Sequence, residues 1–511
     1  MEKTENSILI LNGHDLTADD VYKVAVGKKK VAFSDDARRK MQASFELVKK
    51  IAASGKASYG ISTGFGEMSK VYISEENNAE LQHNLIVSHA CGVGEAFPEV
   101  AVRAIMLLRL NTLASGYSGV NPRVTDLLMS CLNANVLPLI PQQGSLGASG
   151  DLANLAHMAL LLIGEGRAFC DGVEMSAADA LAKSNLEAVQ LSGKDGLALI
   201  NGTTIMTAVG TLALLRAEKC LQAATAASAL TFEALHGFTS AYDERIHALR
   251  QQEGQIQTAK YMRQFLEGSE YANTRLEDVQ DPYTLRCIPQ VHGASLDAIN
   301  YVYSIIRPEL NAVTDNPLVF VDTGEVISGG NFHGQPLALA LDFLAIATAE
   351  LADISERRIE RLVNPQLSGG LPAFLTEHGG LNSGLMIPQY TAASLVSENK
   401  VLAHPASVDS IPSSANKEDH VSMGAISARK AIKVTENVLH VIAIELIAAA
   451  QAVDLQEKRQ LGRGTQLVYD FVREQVRFLD RDRVLSDDII KLKKLLSQGA
   501  LSQLWEQVQE V

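Results

Sequence analysis

One glycine-rich loop, residues 141–150, ends in a tripeptide whose residue types could generate a reactive group from the chain itself. In Ala148-Ser149-Gly150 the serine can lose water, and the glycine nitrogen, which no Cβ shields, can attack the carbonyl carbon two residues back. The strained bend needed for this attack lies within the conformational range of glycine. The product would be a five-membered ring with an exocyclic methylidene, a strong electrophile.

Other interpretations of this loop fit the sequence less well. The glycine spacing of residues 144–150 matches neither the dinucleotide-binding pattern nor the phosphate loop with its Gly-Lys-Ser/Thr ending. A nucleophile elbow centred on Ser149 would need glycine at the position of Asp151. A flexible turn that caps the helix following Asp151 remains the structural alternative.

Long helices are the elements that must hold such a loop. Hydrophobic residues make up 47% of the 511 residues and aromatic residues only 5%, so small aliphatic side chains fill the interior, which favours closely packed helices. Apolar, alanine-rich patterns predict helices over these ranges: 151–163, 203–236, 291–309, 334–361, 389–403, 424–453 and 463–478. Length alone suggests about three domains, but no linker or repeat separates them. We therefore expect a mainly α fold, a long-helix bundle with a smaller, looped N-terminal part.

Charge and cysteine usage exclude several classes of function. With 45 basic and 59 acidic residues the formal charge is −14, and the chain lacks a basic stripe, so we expect neither nucleic-acid nor membrane binding. The five cysteines are scattered without CxxC spacing, which argues against disulfides and zinc and favours a reducing cytoplasm. The acidic-polar start lacks a signal-peptide pattern, and no uncharged apolar window reaches 18 residues.

Eight segments, in chain order, closely resemble the aromatic amino acid ammonia-lyase family. They are YGISTGFG (59–66), LQHNLIVSHACGVG (81–94), GSLGASGDLANLAHM (144–158), GLALINGT (196–203), YTLRCIPQVHG (283–293), TDNP (314–317), SGGNFHGQP (328–336) and SVDSIPSSANKEDHVSMG (407–424). The resemblance covers nearly the whole chain and implies an ammonia-lyase/fumarase-like architecture. It implies that residues 1–203 carry the site loops and that residues 204–511 form the helical core of a homotetramer.

The resemblance also implies a prosthetic group and roles for individual residues. Ala148, Ser149 and Gly150 would form 4-methylidene-imidazol-5-one, and neither a metal nor pyridoxal phosphate would take part. Tyr59, which lies among glycines that would let it move as a lid, would be the base that removes the substrate β-proton. The remaining implied positions are Asn201 and Tyr283 toward the ring and the reacting amine, Arg286 at the substrate carboxylate, and Asn316 and Phe332 beside the substrate.

Two polar positions bear on which amino acid is the substrate. The resemblance implies that His89 stacks on or hydrogen-bonds an imidazole and that Glu418 accepts a hydrogen bond from an imidazole N–H or the ammonium group. Relatives that act on tyrosine or phenylalanine usually carry Gln where this chain has Glu418. Both residues favour elimination of ammonia from L-histidine to give trans-urocanate. Lys417 and Ile288 depart from the histidine-type pattern.

Three alternatives stay open at the level of sequence. The scaffold could serve a tyrosine or phenylalanine ammonia-lyase or a 2,3-aminomutase, and some tyrosine aminomutases share Ser88-His89. Either the amine or the aromatic ring of the substrate could add to the methylidene carbon. A helical binding protein whose tripeptide never cyclises is the remaining possibility.

The cluster Glu418-Asp419-His420 is not predicted to bind metal, because adjacent residues on a helix cannot face one point.

Overall fold

The protein is mainly α-helical, as its composition and periodicity predict. The structure is a computed structural model that describes residues 8–54, 58, 60–64, 68, 70–275 and 278–509. Tyr59, the predicted base, lies outside the described residues.

Helices account for most of the described chain. In order they are α1 (Ala18–Ala25), α2 (Asp35–Ala53), α3 (Glu75–His89), α4 (Glu99–Ala114), α5 (Pro122–Asn133), α6 (Leu152–Leu162), α7 (Ala177–Lys183), α8 (Asp195–Ile200), α9 (Thr204–Ala234), α10 (Glu244–Arg250), α11 (Glu253–Phe265), α12 (Tyr283–Arg286), α13 (Ile288–Glu309), α14 (Gln335–Val363), α15 (Met386–Leu402), α16 (Gly424–Asp454), α17 (Arg463–Gln475), α18 (Ser486–Ser497) and α19 (Ala500–Gln509). Short 3₁₀ turns occur at Thr239–Tyr242, Ala373–Leu375 and Ser414–Asn416.

Strands are short and form small separate sheets. They are β1 (Leu9–Leu11), β2 (Val31–Phe33), β3 (Val93–Ala96), β4 (Val136–Pro138), β5 (Pro141–Gln143), β6 (Arg167–Cys170), β7 (Val173–Ser176), β8 (Leu318–Phe320) and β9 (Glu325–Ile327). β1 pairs with β2 in parallel, while β3–β5, β4–β6–β7 and β8–β9 are antiparallel. The apolar run at residues 7–12 predicts a strand, and β1 lies there; the other strands were not predicted from the sequence.

The three longest helices match the predicted ranges within two residues. α9 and α16 have 31 residues each and α14 has 29. Alanine lets helices approach closely and keeps helix propensity high, so these segments remain helical while buried. One helix in the described part of the chain, α16, is long and apolar enough to cross a membrane, and 89% of its apolar window is buried. Such burial is what a helix of a protein core shows.

One compact unit contains residues 1–212, 304–341 and 405–429. Its helix α4 is buried at every residue from Ala101 to Ala114, and the cap residue Ser115 that follows is half-buried. β3 and β5 end beside the glycine-rich loop, and α6 leaves from the other end of that loop. The strands and helix ends of this unit therefore anchor both ends of residues 144–150.

The other compact unit contains residues 213–303, 342–404 and 430–511. Its core includes a fully buried ion pair between Arg358 and Glu445. The exposed surface of this unit carries large apolar side chains, among them Tyr301, Phe343 and Ile346. The predicted division of the chain after residue 203 falls at the start of α9 and stays a prediction.

Candidate active site

The Ala148-Ser149-Gly150 loop is tightly packed against backbone. Gly150 has a φ of +77° and forms a parallel bridge with Gly202, whose own φ is +119°. A side chain at Gly150 would collide with the backbone of Gly202, and one at Gly147 would collide with the Ser422 hydroxyl. Glycine is needed here for both positive φ and close approach.

Two donors hold the carbonyl oxygen of Ser149. The side-chain amide nitrogen of Asn201 donates to it over 3.1 Å, and the backbone N–H of Gly202 donates over 3.2 Å. The N–H of Asp151 in turn donates to the carbonyl of Gly202 over 2.8 Å. Paired donors of this kind stabilise negative charge on a carbonyl oxygen. Asn201, which was predicted to contact the ring, therefore contacts the residue from which the ring would form.

Asp151 connects the loop to the start of α9. One carboxylate oxygen accepts from the backbone N–H groups of Ile205 (2.8 Å) and Met206 (3.0 Å), and the other accepts from the Ser145 hydroxyl (3.0 Å). Complete burial raises the pKa of Asp151 to about 6, although these hydrogen bonds oppose the shift. Asp151 is the N-cap residue of α6, but its side chain makes no capping hydrogen bond to that helix.

The hydroxyl of Ser149 points to a carboxylate far away in sequence. Ser149 donates to Oε1 of Glu418 over 2.8 Å, and Ser413 donates to Oε2 over 2.9 Å. The segment between Ser413 and Glu418 is a tight turn in which Ala415 has a φ of +52°. Its ends pair through backbone hydrogen bonds between Ser413 and Glu418, so Glu418 is held firmly.

His89 completes the group of polar side chains around the tripeptide. It is the last residue of α3, and its Nδ1 lies 3.1 Å from the Ser88 hydroxyl. Burial lowers the pKa of His89, while nearby Glu418 opposes this effect, so the ring is neutral at neutral pH. A cavity of about 200 Å³ is lined by Ser88, His89, Cys91, Gly144, Ser145, Leu146, Gly147, Ala148, Ser149, Gly150, Leu152, Ala153, Ser413 and Glu418.

Asn316 and Phe332 lie in the same unit but do not line this cavity. The Asn316 amide oxygen accepts from the N–H of Gly329 over 2.7 Å. Its backbone N–H donates to Asp315, whose carboxylate forms a fully buried ion pair with Lys194 at 2.6 Å. Phe332 is half-buried in the turn before α14. Asn316 is therefore engaged with the β8–β9 hairpin region.

Tyr283 and Arg286 belong to the other unit, on α12. Tyr283 is 70% exposed, and the Arg286 guanidinium lies over its ring at 4.7 Å from the centroid. Arg286 is half-buried and donates to the side chain of Gln280 over 2.7 Å. Gly60, which follows Tyr59 in the chain, lies close to the side chains of Leu197 and Pro317.

The family follows from comparison with known proteins. A family model described as aromatic amino acid lyase matches residues 16–474. The chain belongs to the aromatic amino acid lyase family. It is 59% identical over 487 residues to the histidine ammonia-lyase of Treponema denticola, with 95% of this chain and 96% of the relative covered.

Solved structures of this family have the same fold. The histidine ammonia-lyase from Trypanosoma cruzi has a TM-score of 0.91 and 44% identity, covering 99% of this chain and 95% of that one. The tyrosine aminomutase from Streptomyces globisporus has a TM-score of 0.93 and 40% identity, with 99% of both chains covered. The predicted fold class and family are therefore confirmed.

Sequence reasoning about this aromatic amino acid lyase missed several contributors to the site. Ser413 orients Glu418, and Cys91 lines the cavity. Ser413 lies within a motif that marks the family, but only the fold brings it to the carboxylate. Within the described ranges, no three His, Cys, Asp or Glu side chains converge as a metal site would require. Contrary to expectation, Glu418, Asp419 and His420 do not lie on an α-helix, so helix geometry does not determine how these side chains are arranged.

Proposed function

We propose that this protein is a carbon–nitrogen lyase that removes ammonia from L-histidine and releases trans-urocanate. The observation that carries the proposal is Ser149, with its carbonyl held by two donors and its hydroxyl on Glu418 inside a cavity that His89 also lines. The identity of 59% to a histidine ammonia-lyase supports the same activity.

The tripeptide fits the prosthetic group expected of it. Closure joins the Gly150 nitrogen to the Ala148 carbonyl carbon, whose oxygen leaves as water. Ser149 then loses its Cα proton and its hydroxyl as a second water, which leaves a methylidene. The positive φ of Gly150 and its side-chain-free approach to Gly202 allow the required bend. 4-Methylidene-imidazol-5-one supplies an electrophilic carbon that makes ammonia easier to eliminate.

Glu418 has different partners before and after this maturation. Before it, the Ser149 hydroxyl occupies one carboxylate oxygen. Loss of that hydroxyl as water frees the oxygen, while Ser413 keeps the other in place. A carboxylate with one free oxygen suits an imidazole N–H or an ammonium group, since charge-assisted hydrogen bonds are the strong ones. Neutral His89 can stack on an imidazole or accept a hydrogen bond from it.

The remaining roles are proposed for residues outside the cavity lining. Tyr59 serves as the base that removes the β-proton. Arg286 binds the substrate carboxylate through its planar guanidinium, and Tyr283 assists at the amine. Asn316 and Phe332 position the substrate. These roles rest on the family motifs in which the residues stand.

A homotetramer would bring these scattered residues together. The exposed side chains of Tyr301, Phe343, Ile346 and Tyr390 in the second unit are large and apolar, as expected of surfaces that other subunits cover. Tyr283, a proposed site residue, is more exposed than any of these four side chains. Sedimentation of the active enzyme as a tetramer is expected, and an active monomer would refute this assembly.

The five free cysteines support a cytoplasmic location.

A 2,3-aminomutase acting on tyrosine is the second candidate, because a tyrosine aminomutase is structurally similar at 40% identity. Glu418, held by Ser413 in the cavity, argues against a substrate with an apolar ring. Incubation with histidine, tyrosine and phenylalanine separates the candidates. Urocanate from histidine alone is expected, and β-tyrosine formation would favour the aminomutase.

Substitution of Ser149 by alanine tests the proposed chemistry. Ser149→Ala retains the fold but cannot form the methylidene, so urocanate production is expected to fall below detection. Intact mass is the second readout: the wild-type chain should lack two waters, and the variant should not reach the same loss. Ser130→Ala, a change at a hydroxyl that bonds only its own helix, is the matched control. Near-normal turnover by Ser149→Ala would rule out the proposal.

Glu418→Gln tests the choice of substrate. The amide keeps the shape but removes the charge, and loss of one charge-assisted hydrogen bond corresponds to about tenfold to a hundredfold in kcat/KM for histidine. The two-water loss in intact mass should persist. A variant with unchanged kcat/KM for histidine would show that Glu418 does not recognise the substrate.

A further inference from the structure

A buried cation lies close to the tripeptide and forms no ion pair with any carboxylate in the described part of the chain. Arg109 is fully buried in α4. Its Nη1 donates to the carbonyl oxygens of Asn201 (3.0 Å) and Ala198 (3.2 Å). Both oxygens belong to the C-terminal end of α8, where a positive charge is favourable. Arg109 therefore binds backbone carbonyls, and one of these residues, Asn201, directly precedes Gly202 in the chain.

The burial of Arg109 lowers the stability of the folded protein. Its Nε and Nη2 have no hydrogen-bond partner among the described residues, and unpartnered buried donors destabilise a fold. Burial lowers its pKa to about 10, with Asp315 and Asp151 opposing the shift, so the side chain is still charged at neutral pH. Packing stability alone would favour a hydrophobic residue at such a position.

The segment held by Arg109 is the one that holds Ser149. The backbone carbonyl oxygen of Asn201 accepts a hydrogen bond from Arg109, while the side-chain nitrogen of Asn201 donates to the Ser149 carbonyl over 3.1 Å. The next residue, Gly202, donates its N–H to the same oxygen over 3.2 Å and accepts from the N–H of Asp151 over 2.8 Å. Residues on both sides of Gly150 are thus fixed by one short stretch of backbone that Arg109 anchors.

We propose that Arg109 is a positioning residue for the closure of Ala148-Ser149-Gly150, acting through Asn201 and Gly202. This inference rests on the proposed function, because it presupposes that the tripeptide closes. In the closure step the Gly150 nitrogen must reach the Ala148 carbonyl carbon, so the intervening Ser149 has to stay bent. Donors on its carbonyl oxygen maintain that bend only if they are themselves fixed. Arg109 fixes these donors by its hydrogen bonds to the backbone carbonyls of Ala198 and Asn201.

The time course of maturation tests the proposal. The full chain is produced by cell-free synthesis, samples are quenched in acid at intervals, and intact mass reports the fraction that has lost two waters. Loss of the anchoring bonds in Arg109→Met is expected to slow this conversion about tenfold or more. Arg109→Lys keeps the charge but not the planar fork, and its rate should lie between those of Arg109→Met and the wild type.

The same helix offers a matched control. Arg103 is also buried in α4, but it donates to the carbonyls of Val24 and Leu132 and to the Asn135 side chain, away from the loop. Arg103→Met should mature at the wild-type rate in its folded fraction, measured by circular dichroism and size. If Arg109→Met does not fold, the rate for Arg109→Lys decides.

Three outcomes would count against the inference or its basis. Wild-type rates in the folded Arg109 variants would overturn it. An equal delay in Arg103→Met would also overturn it, because any disturbance of α4 would then suffice. A wild-type chain that never loses two waters would instead refute the proposed function.

Discussion

Several buried charges in the unit that holds the tripeptide bind backbone, although Lys194 and Asp315 of that unit pair with each other, whereas a buried ion pair lies in the helical core of the other unit. In the unit that holds the tripeptide, Arg109 donates to two carbonyls, Asp151 accepts from two N–H groups, and Asp195 accepts from the N–H groups of Asn121 and Ser192. In the helical core of the other unit, Arg358 and Glu445 bind each other through two hydrogen bonds of 2.5 and 2.9 Å. That pair is completed by side chains, the hydroxyls of Thr231 and Ser355.

The difference follows from what each region must fix. Loops and helix ends have free backbone donors and acceptors, and a charged side chain can satisfy several of them and set one conformation. Three long helices already satisfy their own backbone, so a buried pair between α14 and α16 can only fix how the helices align. The charges that bind backbone therefore specify loop geometry, and the Arg358–Glu445 pair specifies helix packing.

Breaking the core pair should have the largest effect on stability. Arg358→Met leaves Glu445 buried without its cation, which is expected to reduce the free energy of unfolding by about 3–5 kcal/mol. The double variant Arg358→Met/Glu445→Leu removes both charges and should recover most of that loss. Urea unfolding followed by circular dichroism measures all three proteins. A double variant as unstable as the single one would show that the pair contributes more than mutual neutralisation.

Asp195 provides a pH-dependent test in the site unit. Burial raises its pKa from 3.8 to about 6, although backbone donors oppose the shift. Between these values the folded protein binds a proton that the unfolded chain has released, so this group's contribution to stability falls as pH rises from 4 to 7. The change amounts to at most about 3 kcal/mol.

The Asp195→Asn variant isolates this contribution because it cannot titrate. Its free energy of unfolding, relative to wild type, should rise as pH increases from 4 to 7. Asp36→Asn is the control: hydrogen bonding to Lys40 lowers the pKa of exposed Asp36 below its ordinary value of 3.8, so its difference from wild type should stay nearly constant between pH 4 and 7. A pH-independent difference for Asp195→Asn would mean that burial does not control this carboxyl group.

The contrast between regions also explains what the sequence could predict. The long helices depend on local composition, so the ranges of α9, α14 and α16 were predicted closely. The short strands have three or four residues each, too few for a periodic pattern, and most were missed. Motifs located the tripeptide and Glu418, but the hydrogen bond between Ser149 and Glu418 spans 269 positions. The hydrogen bonds of Asp151 to α9 span 54 and 55 positions, so no local sequence pattern predicts them.

An exposed ion pair in the site unit should show the smallest effect and so separate burial from the type of partner. His83 and Glu165 lie 2.7 Å apart, with 45% of each side chain exposed. Hydrogen bonding to Glu165 raises the pKa of His83, so the pair stabilises the fold below the ordinary His pKa of 6.5 and loses this effect as pH rises through the folded value. Because water screens both charges, His83→Gln should lower the free energy of unfolding by less than about 1 kcal/mol at pH 6 and by less still at pH 9, and added salt should reduce the pH 6 difference. A loss as large as that of Arg358→Met would mean that side-chain pairing matters more than burial, and the contrast between the two regions would then lose its physical basis.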